Sequence, residues 1–372
     1  MSTLKTINII HPTGSTNNMV SDAGGNVTVG NNLTVTGNET VSGNLTVTGN
    51  FIPSSSYRRN HIINGNMRIA QRGTSFTNVA NGSLVNHYTL DRWYAYRNTY
   101  TSNLSVSQQA GFGGAQYCLR HQRAAGDTST TSMLVAQIIE SANMVDLQGQ
   151  TVTLSFWART GANYSGGNLT IGLKTGTTAD QGAATFIAGW SGSDYPIYRS
   201  SQAFTSTATR YTFTGTVLSN ALEMALFFIW TPTGTAGAAD YIEITNVQVE
   251  PGSAATPYEY QKVSEQLAEC QRYYQRVFAI TGTSGNSTTN MYANIQYPVP
   301  MRATAVPSLT GALNVTDPAV ASYTQSSADV SVVGGQNTSG AYLRFGNFTG
   351  INAFRTLMAN DFSQALILTA EL

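Results

Sequence analysis

Two sets of residues in this 372-residue chain could do chemistry: its carboxylates and its aromatic rings. Cleaving a glycosidic bond takes two carboxylates facing each other across one cleft. Asp91, Asp127, Glu140, Asp146, Asp180, Asp194, Asp240 and Glu243 are available, but no spacing pairs any two of them. The histidines, His11, His61, His87 and His121, stand in no Gly-x-Ser-x-Gly, His-Glu-x-x-His or Cys/His context. Gly113-Gly114 and Gly334-Gly335 read as turns, since no lysine and helix follow to make a phosphate loop. The expectation is a chain that is not an enzyme, with polysaccharide degradation as the alternative. A structural calcium would need Asp240, Glu243 and Glu250; these read instead as exposed charges on a strand, and no cofactor is expected.

Recognition of a sugar ring needs flat apolar faces beside polar side chains. Trp93, Trp157 and Trp230 sit in apolar strand patterns and are expected in the core. Trp190 differs, because Ala188-Gly-Trp-Ser-Gly-Ser-Asp194 has the composition of a loop, with Tyr195 and Tyr198 close behind. A second aromatic set near the C-terminus includes Tyr292, Tyr297 and Tyr342. Those six residues are the candidate ligand contacts.

Charge says little about partners. Only 10% of residues are charged and the net charge is zero, which gives no general drive toward nucleic acid or an anionic membrane. No apolar run reaches membrane-spanning length. Cys118 and Cys270 lie far apart without metal-ligand neighbours and are expected as buried free thiols. The N-terminal MSTLKTINIIHPTGSTNN lacks the basic start and long apolar core of a secretory signal, so synthesis in a cytosol without export by that route is expected. The N-x-T triplets at Asn26, Asn32, Asn38 and Asn44 then follow from a repeat and are not glycan sites.

That repeat has a period of six: VTVGNN, LTVTGN, ETVSGN, LTVTGN. Its apolar stripe is Val27, Val29, Leu33, Val35, Val41, Leu45 and Val47, and a Gly-Asn closes each short strand. A repeat buries its apolar face only by stacking on neighbours. So short an array cannot do so alone, which predicts a threefold intertwined β-shaft over residues 23–56, preceded by a small head at 1–22. Residues 57–259 carry many short β-branched and aromatic runs between turn clusters, the pattern of a β-sandwich, with a bulge or turn at Thr245-Asn246. From residue 260 to 278 the period changes. Val263, Leu267, Cys270, Tyr274 and Val277 fall 4-3-4-3 apart, which predicts either a short three-helix coiled coil or an amphipathic helix lying on a β-domain. Residues 279–372 return to strands as a C-terminal tip, expected to be the receptor-binding end. The fold class expected is mainly β.

The order of these parts resembles bacteriophage tail fibres, notably those of cyanobacterial and marine phages. Asn64-Gly65-Asn66-Met67, Ala70-Gln71-Arg72-Gly73 and Asp91-Arg92-Trp93 are similar to the opening of a domain in such fibres. Leu154-Ser155-Phe156-Trp157-Ala158-Arg159 and the run from Ile244 to Gly252, closing on Ala255-Thr256-Pro257-Tyr258-Glu259, resemble core strands of carbohydrate-binding-module-like jelly rolls. Cys270-Gln271-Arg272-Tyr273-Tyr274 recurs in the same setting. The likeness covers most of residues 20–275 and leaves the tip unmatched. It implies a homotrimeric virion fibre, attached to tail proteins by its N-terminus and adhering to a host surface glycan; the alternatives are a polysaccharide-degrading tail spike or a purely structural head fibre or connector. It supplies no binding residues.

Overall fold

Alternation along Thr151–Thr160 sets the frame of the main sheets. Val152, Leu154, Phe156 and Ala158 are fully buried on one side, while Trp157 and Arg159 on the other remain part-exposed. The structure is a computed structural model describing residues 7–10, 17–21, 26–29, 58–77, 88–97, 104–359 and 364–372. The chain forms two compact units, Met1–Ser56 and Tyr57–Leu372.

In the first unit, β1 (Ile7–Ile10), β2 (Asn17–Ser21) and β3 (Val27–Val29) form an antiparallel sheet in that order. Val29 pairs with Met19 and Val27 with Ser21. The first two shaft positions are thus engaged within one chain, and Val27 is 58% exposed. Leu33, Val35, Val41, Leu45 and Val47 lie outside the described residues.

The second unit opens with β4 (Ser75–Phe76), β5 (Tyr94–Arg97), β6 (Leu104–Ala110), β7 (Tyr117–Arg123), β8 (Met133–Ile139), β9 (Thr151–Thr160) and β10 (Asn168–Gly176). Helix α1 (Ala183–Ala188), β11 (Asp194–Ala203), β12 (Thr209–Thr216), β13 (Glu223–Trp230) and β14 (Tyr241–Pro251) complete the sandwich. One sheet runs β12-β9-β14-β7-β6-β4 and the other β11-β10-β13-β8-β5. From β7 to β14 the chain changes sheet at every step except the β10–β11 hairpin. This is the eight-strand connectivity of a jelly roll, here widened by β4, β5 and β6. The predicted bulge is present: the pairing of β14 with β9 shifts between Thr245 and Gln248, with Asn246 at φ 47°.

The helical stretch is shorter than its spacing predicts. Helix α2 (Val263–Gln271) ends where Tyr273-Tyr274 begins an aromatic and β-branched run, and β15 (Tyr274–Val277) follows. Tyr274 and Val277 therefore belong to a strand and not to a coiled-coil seam. Leu267 and Cys270 pack on Ile63, Ile69 and Tyr273, while Val263 is exposed. Gln266, between them, is buried and donates to Asn66 Oδ1 at 3.0 Å. Of the two readings, the amphipathic helix lying on a β-domain describes this contact.

Strands β16 (Thr281–Thr283), β17 (Met291–Gln296), β18 (Val306–Leu309), β19 (Asn314–Thr316), β20 (Ser322–Thr324), β21 (Val330–Gly334), β22 (Gly340–Phe345), β23 (Thr356–Ala359) and β24 (Leu366–Thr369) form the remainder. Sheets β15-β24-β18 and β20-β19-β23-β16-β17-β22-β21 share a second core around Leu343, Phe345, Leu357 and Leu366.

Glu371 joins the two cores. It accepts from Arg72 at 2.8 Å and from Arg92, which is 1% exposed. The Arg92 guanidinium lies 3.5 Å from the Tyr273 ring centre and also donates to Ile138 O. Removing one partner of a buried pair strands the other charge, at about 3–5 kcal/mol. Glu371→Ala is expected to lower stability by about that much in urea unfolding. Glu265→Ala, which removes the exposed Lys262–Glu265 pair, should change it by no more than about 0.5 kcal/mol. Equal small effects would show that the clamp does not hold the fold.

Candidate functional site

Strand β13 is apolar on both faces. Met224, Leu226, Phe228 and Trp230 fill the sandwich core, and Phe227 and Ile229 line a groove on the outer side of the five-stranded sheet. On the neighbouring β10, Leu169, Ile171 and Leu173 face the core. Thr170 and Lys174 face the groove, with Gly172 between them in the same phase. A Cβ at Gly172 would come within 2.4 Å of Ile197 O and 2.8 Å of Phe227 Cζ. The bare backbone there lets the Phe227 ring lie against the sheet.

A bulge in β11 places the exposed rings. Gly172 pairs with Tyr198 and Leu173 with Ile197, but Thr175 pairs with Asp194. Tyr195 and Pro196 together therefore oppose Lys174. The extra residue flips the phase, and Tyr195 joins Tyr198 on the groove side instead of following Ile197 into the core. The two rings meet edge to face, 5.4 Å apart at 71°, and are 44% and 51% exposed. Tyr195 also stands edge-on to Phe227 at 6.3 Å. Helix α1 closes one side with Phe186 and Ile187, and Tyr96, Thr131, Ser132 and Leu134 close the other. The cavity is about 510 Å³. Lys174 is only 6% exposed, and burial lowers its pKa. Its Nζ lies 5.2 Å from the Phe186 ring centre, 5.8 Å from Tyr195 and 6.0 Å from Trp190. Among the described residues lining the groove there is no carboxylate and no histidine. Apolar rings flanked by hydroxyls and one cation can hold a polar ring-shaped ligand, and the described lining has no carboxylate pair of the kind that hydrolyses a glycosidic bond.

No protein-family model matches the chain, and no curated protein matches it. Among solved structures it is similar to the enzymatically active domain of tailspike protein 4 of bacteriophage CBA120, at 16% identity and a TM-score of 0.31. That likeness covers 48% of this chain and 21% of the tailspike chain, so this chain spans about a fifth of the tailspike's length. It is also similar to a CBM4 structure, at 17% identity and a TM-score of 0.29, over 47% of this chain and 99% of that one. A third is the CBM22-1 xylan-binding domain of Paenibacillus barcinonensis Xyn10C, at 10% identity and a TM-score of 0.29, over 49% of this chain and 94% of that one.

Of the six expected ligand contacts, Tyr195 and Tyr198 come together at the groove. Trp190 does not join them at the surface. It is 4% exposed, edge-on to Phe186 at 5.5 Å, with its Nε1 donating to Gly182 O at 3.4 Å. The short helix α1, which the Gly/Ser composition concealed, supplies the cover. Tyr292 and Tyr342 stack 6.1 Å apart at 24° on the C-terminal seven-stranded sheet, forming a separate partly exposed platform. Tyr297 is buried in the core beside it. Trp93 and Trp230 are core residues as expected, and Trp157 is half-buried. Sequence reasoning passed over Lys174, Phe186, Phe227 and Tyr96. A lysine set in the apolar run of β10, beside a strand apolar on both faces, was the available signal.

Asp240, Glu243 and Glu250 are engaged away from the groove. Asp240 accepts from Arg123 at 2.9 Å and from Ser165, and Glu243 accepts from Arg120 and Arg159, each at 2.6 Å. Glu250 accepts from Gln248 and Thr256. All three are buried and paired, which corrects the reading of exposed strand charges. Among the described residues no group of three or more His, Cys, Asp or Glu side chains could hold a metal ion. Both thiols are buried and free.

A second hollow of about 380 Å³, lined by Tyr88, Tyr94, Val306, Glu371 and Leu372, has its one carboxylate already held by Arg72 and Arg92.

Glu223 anchors the base of α1, accepting from Gln181 N at 2.6 Å. Burial pushes its carboxyl up to about 7 from the ordinary 4.5, against the opposing Gln181 hydrogen bond. Between those values the folded chain keeps a proton that the unfolded chain releases, so stability falls as pH rises through the window. The loss is at most about 3 kcal/mol. Glu223→Gln should match the parent near about pH 4 and exceed it in melting temperature near about pH 8. A difference that is flat with pH would contradict this.

Proposed function

We propose that this chain is a non-enzymatic adhesin that holds a glycan across Tyr195 and Tyr198, and that it works as a homotrimeric fibre subunit of the phage tail type. The observation that carries the glycan reading is the bulge-placed tyrosine pair over a groove that has a lysine and hydroxyls but no carboxylate. Exposed, orthogonal rings on a packed sheet give sugar C–H faces a place to stack at little ordering cost, because the sheet beneath them is fixed by the core. The lack of a carboxylate in that lining supports binding without cleavage.

The hexad repeat supports the fibre reading, as does the order of motifs shared with tail fibres. On this reading the N-terminal head attaches to virion tail proteins and the jelly roll meets a bacterial surface glycan. The Tyr292–Tyr342 platform offers each chain a second contact. Three chains per fibre raise a modest single-site affinity through effective concentration.

Tyr195→Ala and Tyr198→Ala are each expected to weaken binding of the intact protein to a bacterial polysaccharide array by about tenfold or more, the scale of a truncated hot-spot ring. The phenylalanine variants should retain most of it. Unchanged binding in both alanine variants would exclude this groove. Release of oligosaccharide from any bound polysaccharide would replace the adhesin with a depolymerase. A solution mass of one chain would remove the trimer.

A further inference from the structure

We propose that Lys174 makes the groove selective for an acidic glycan: its ammonium takes an anionic substituent, a carboxylate or a phosphate, on a sugar that stacks over Tyr195 and Tyr198. This rests on the reading of the groove as a glycan site and adds the ligand's charge.

Four observations converge. Lys174 is 6% exposed on β10, opposite the bulge in the edge strand β11 that carries Tyr195. No carboxylate or other acceptor among the described residues pairs with its Nζ. Its immediate surroundings are the rings of Phe186, Tyr195 and Trp190. Ring faces attract a cation but take up none of its conventional hydrogen bonds, so the three N–H donors remain for a ligand. And the groove residues facing it, Thr131, Ser132, Thr170, Tyr96 and Tyr198, are neutral, so nothing there repels an anion or competes for the lysine.

The position makes the charge conspicuous. The stem of Lys174 is buried while its ammonium opens on the groove with no acceptor among the described residues, and a methionine would fill much of the same space without a charge. Elsewhere in this unit the buried arginines have partners: Arg92, Arg97 and Arg123 each meet a carboxylate. A cation left open beside buried arginines that each have a carboxylate fits a partner that arrives with the ligand. A charge-assisted hydrogen bond in a partly desolvated groove also discriminates strongly between an acidic sugar and its neutral counterpart.

The test uses the full chain on an array of bacterial surface polysaccharides. Uronic-acid polymers are printed beside their carboxyl-reduced counterparts, and phosphate-bearing polymers beside their dephosphorylated ones. The parent protein should bind the acidic member of at least one pair about tenfold more tightly, with the gap shrinking as salt rises. Whichever pair shows the gap identifies the anion. Lys174→Met should fold at least as stably and lose the gap, and Lys174→Arg should retain it. Should glycan binding depend on Tyr195 and Tyr198 while both members of every pair bind alike, or should Lys174→Met keep the gap, the anion site is wrong and the glycan groove stands. Should no polymer bind, or binding ignore the tyrosines as well, both fall.

Discussion

The second unit hangs on the guanidinium of Arg92. It reaches Glu371 after the last strand, Ile138 O on β8 and the face of Tyr273 just after α2, so one side chain ties three parts of the chain together. Around it, Arg72 lies 3.7 Å from the Tyr274 ring centre and shares Glu371, while Gln71 bridges Asp91 to Tyr274 O. An Arg here does what Lys could not: its planar fork serves two oxygen acceptors while its face lies on a ring. The motif residues Asp91-Arg92-Trp93 and Asn64-Gly65-Asn66 follow from this arrangement. Trp93 Nε1 donates to Asn64 O, and Asn64 Nδ2 reaches Ile69 O and Asp91 O. Gly65 must be bare because a Cβ would fall 2.1 Å from Val247 O. These are residues of a latch and not of a binding surface.

The same economy governs the remaining charges. In a chain with so few, the interior takes Arg97, Arg123, Asp127, Asp240, Glu243 and Glu250. Arg123 alone reaches Asp127, Asp240 and Ser165 as well as backbone carbonyls. Buried pairs of this kind are weak evidence of added stability, but they fix how the parts must meet, since any other packing strands a charge. They also account for the oxygens of Asp240 and Glu243, which guanidiniums occupy. A carboxylate held by one or two guanidiniums inside a β-sandwich is a poor proton donor and has few oxygen lone pairs left for a metal.

Sheets were legible in the sequence because alternation is a local signal. The strands around Thr151–Thr160 and Tyr241–Pro251, including the bulge near Asn246, follow from inward and outward residues read two at a time. Met133–Ile139, a largely apolar run without alternation, is a strand because it is covered on both faces, a tertiary fact. The 4-3-4-3 spacing misled for a related reason. Tyr274 and Val277 continue an apolar rhythm, yet their partners are Thr369 and Leu366, almost a hundred residues away, and pairing with β24 outweighs local helical phase. Trp190 was misplaced because Gly and Ser flank it, whereas its burial is set by Phe186 on a six-residue helix too short to show periodicity.

The groove was half legible for a deeper reason. Tyr195 and Tyr198 are three residues apart, a spacing that on a regular strand sends side chains to opposite faces. Only the bulge opposite Lys174 brings them together, and a bulge is a property of pairing between two strands, invisible in either alone. That geometry also bears on function. Both tyrosines and the lysine rise from strands whose other face is locked into the sandwich core, through Ile197, Ile171 and Leu173. Their positions are therefore set before any ligand arrives, and a site of this kind loses little freedom on binding. On the function proposed above, selectivity would come from this fixed geometry and charge, and avidity from the number of copies presented together.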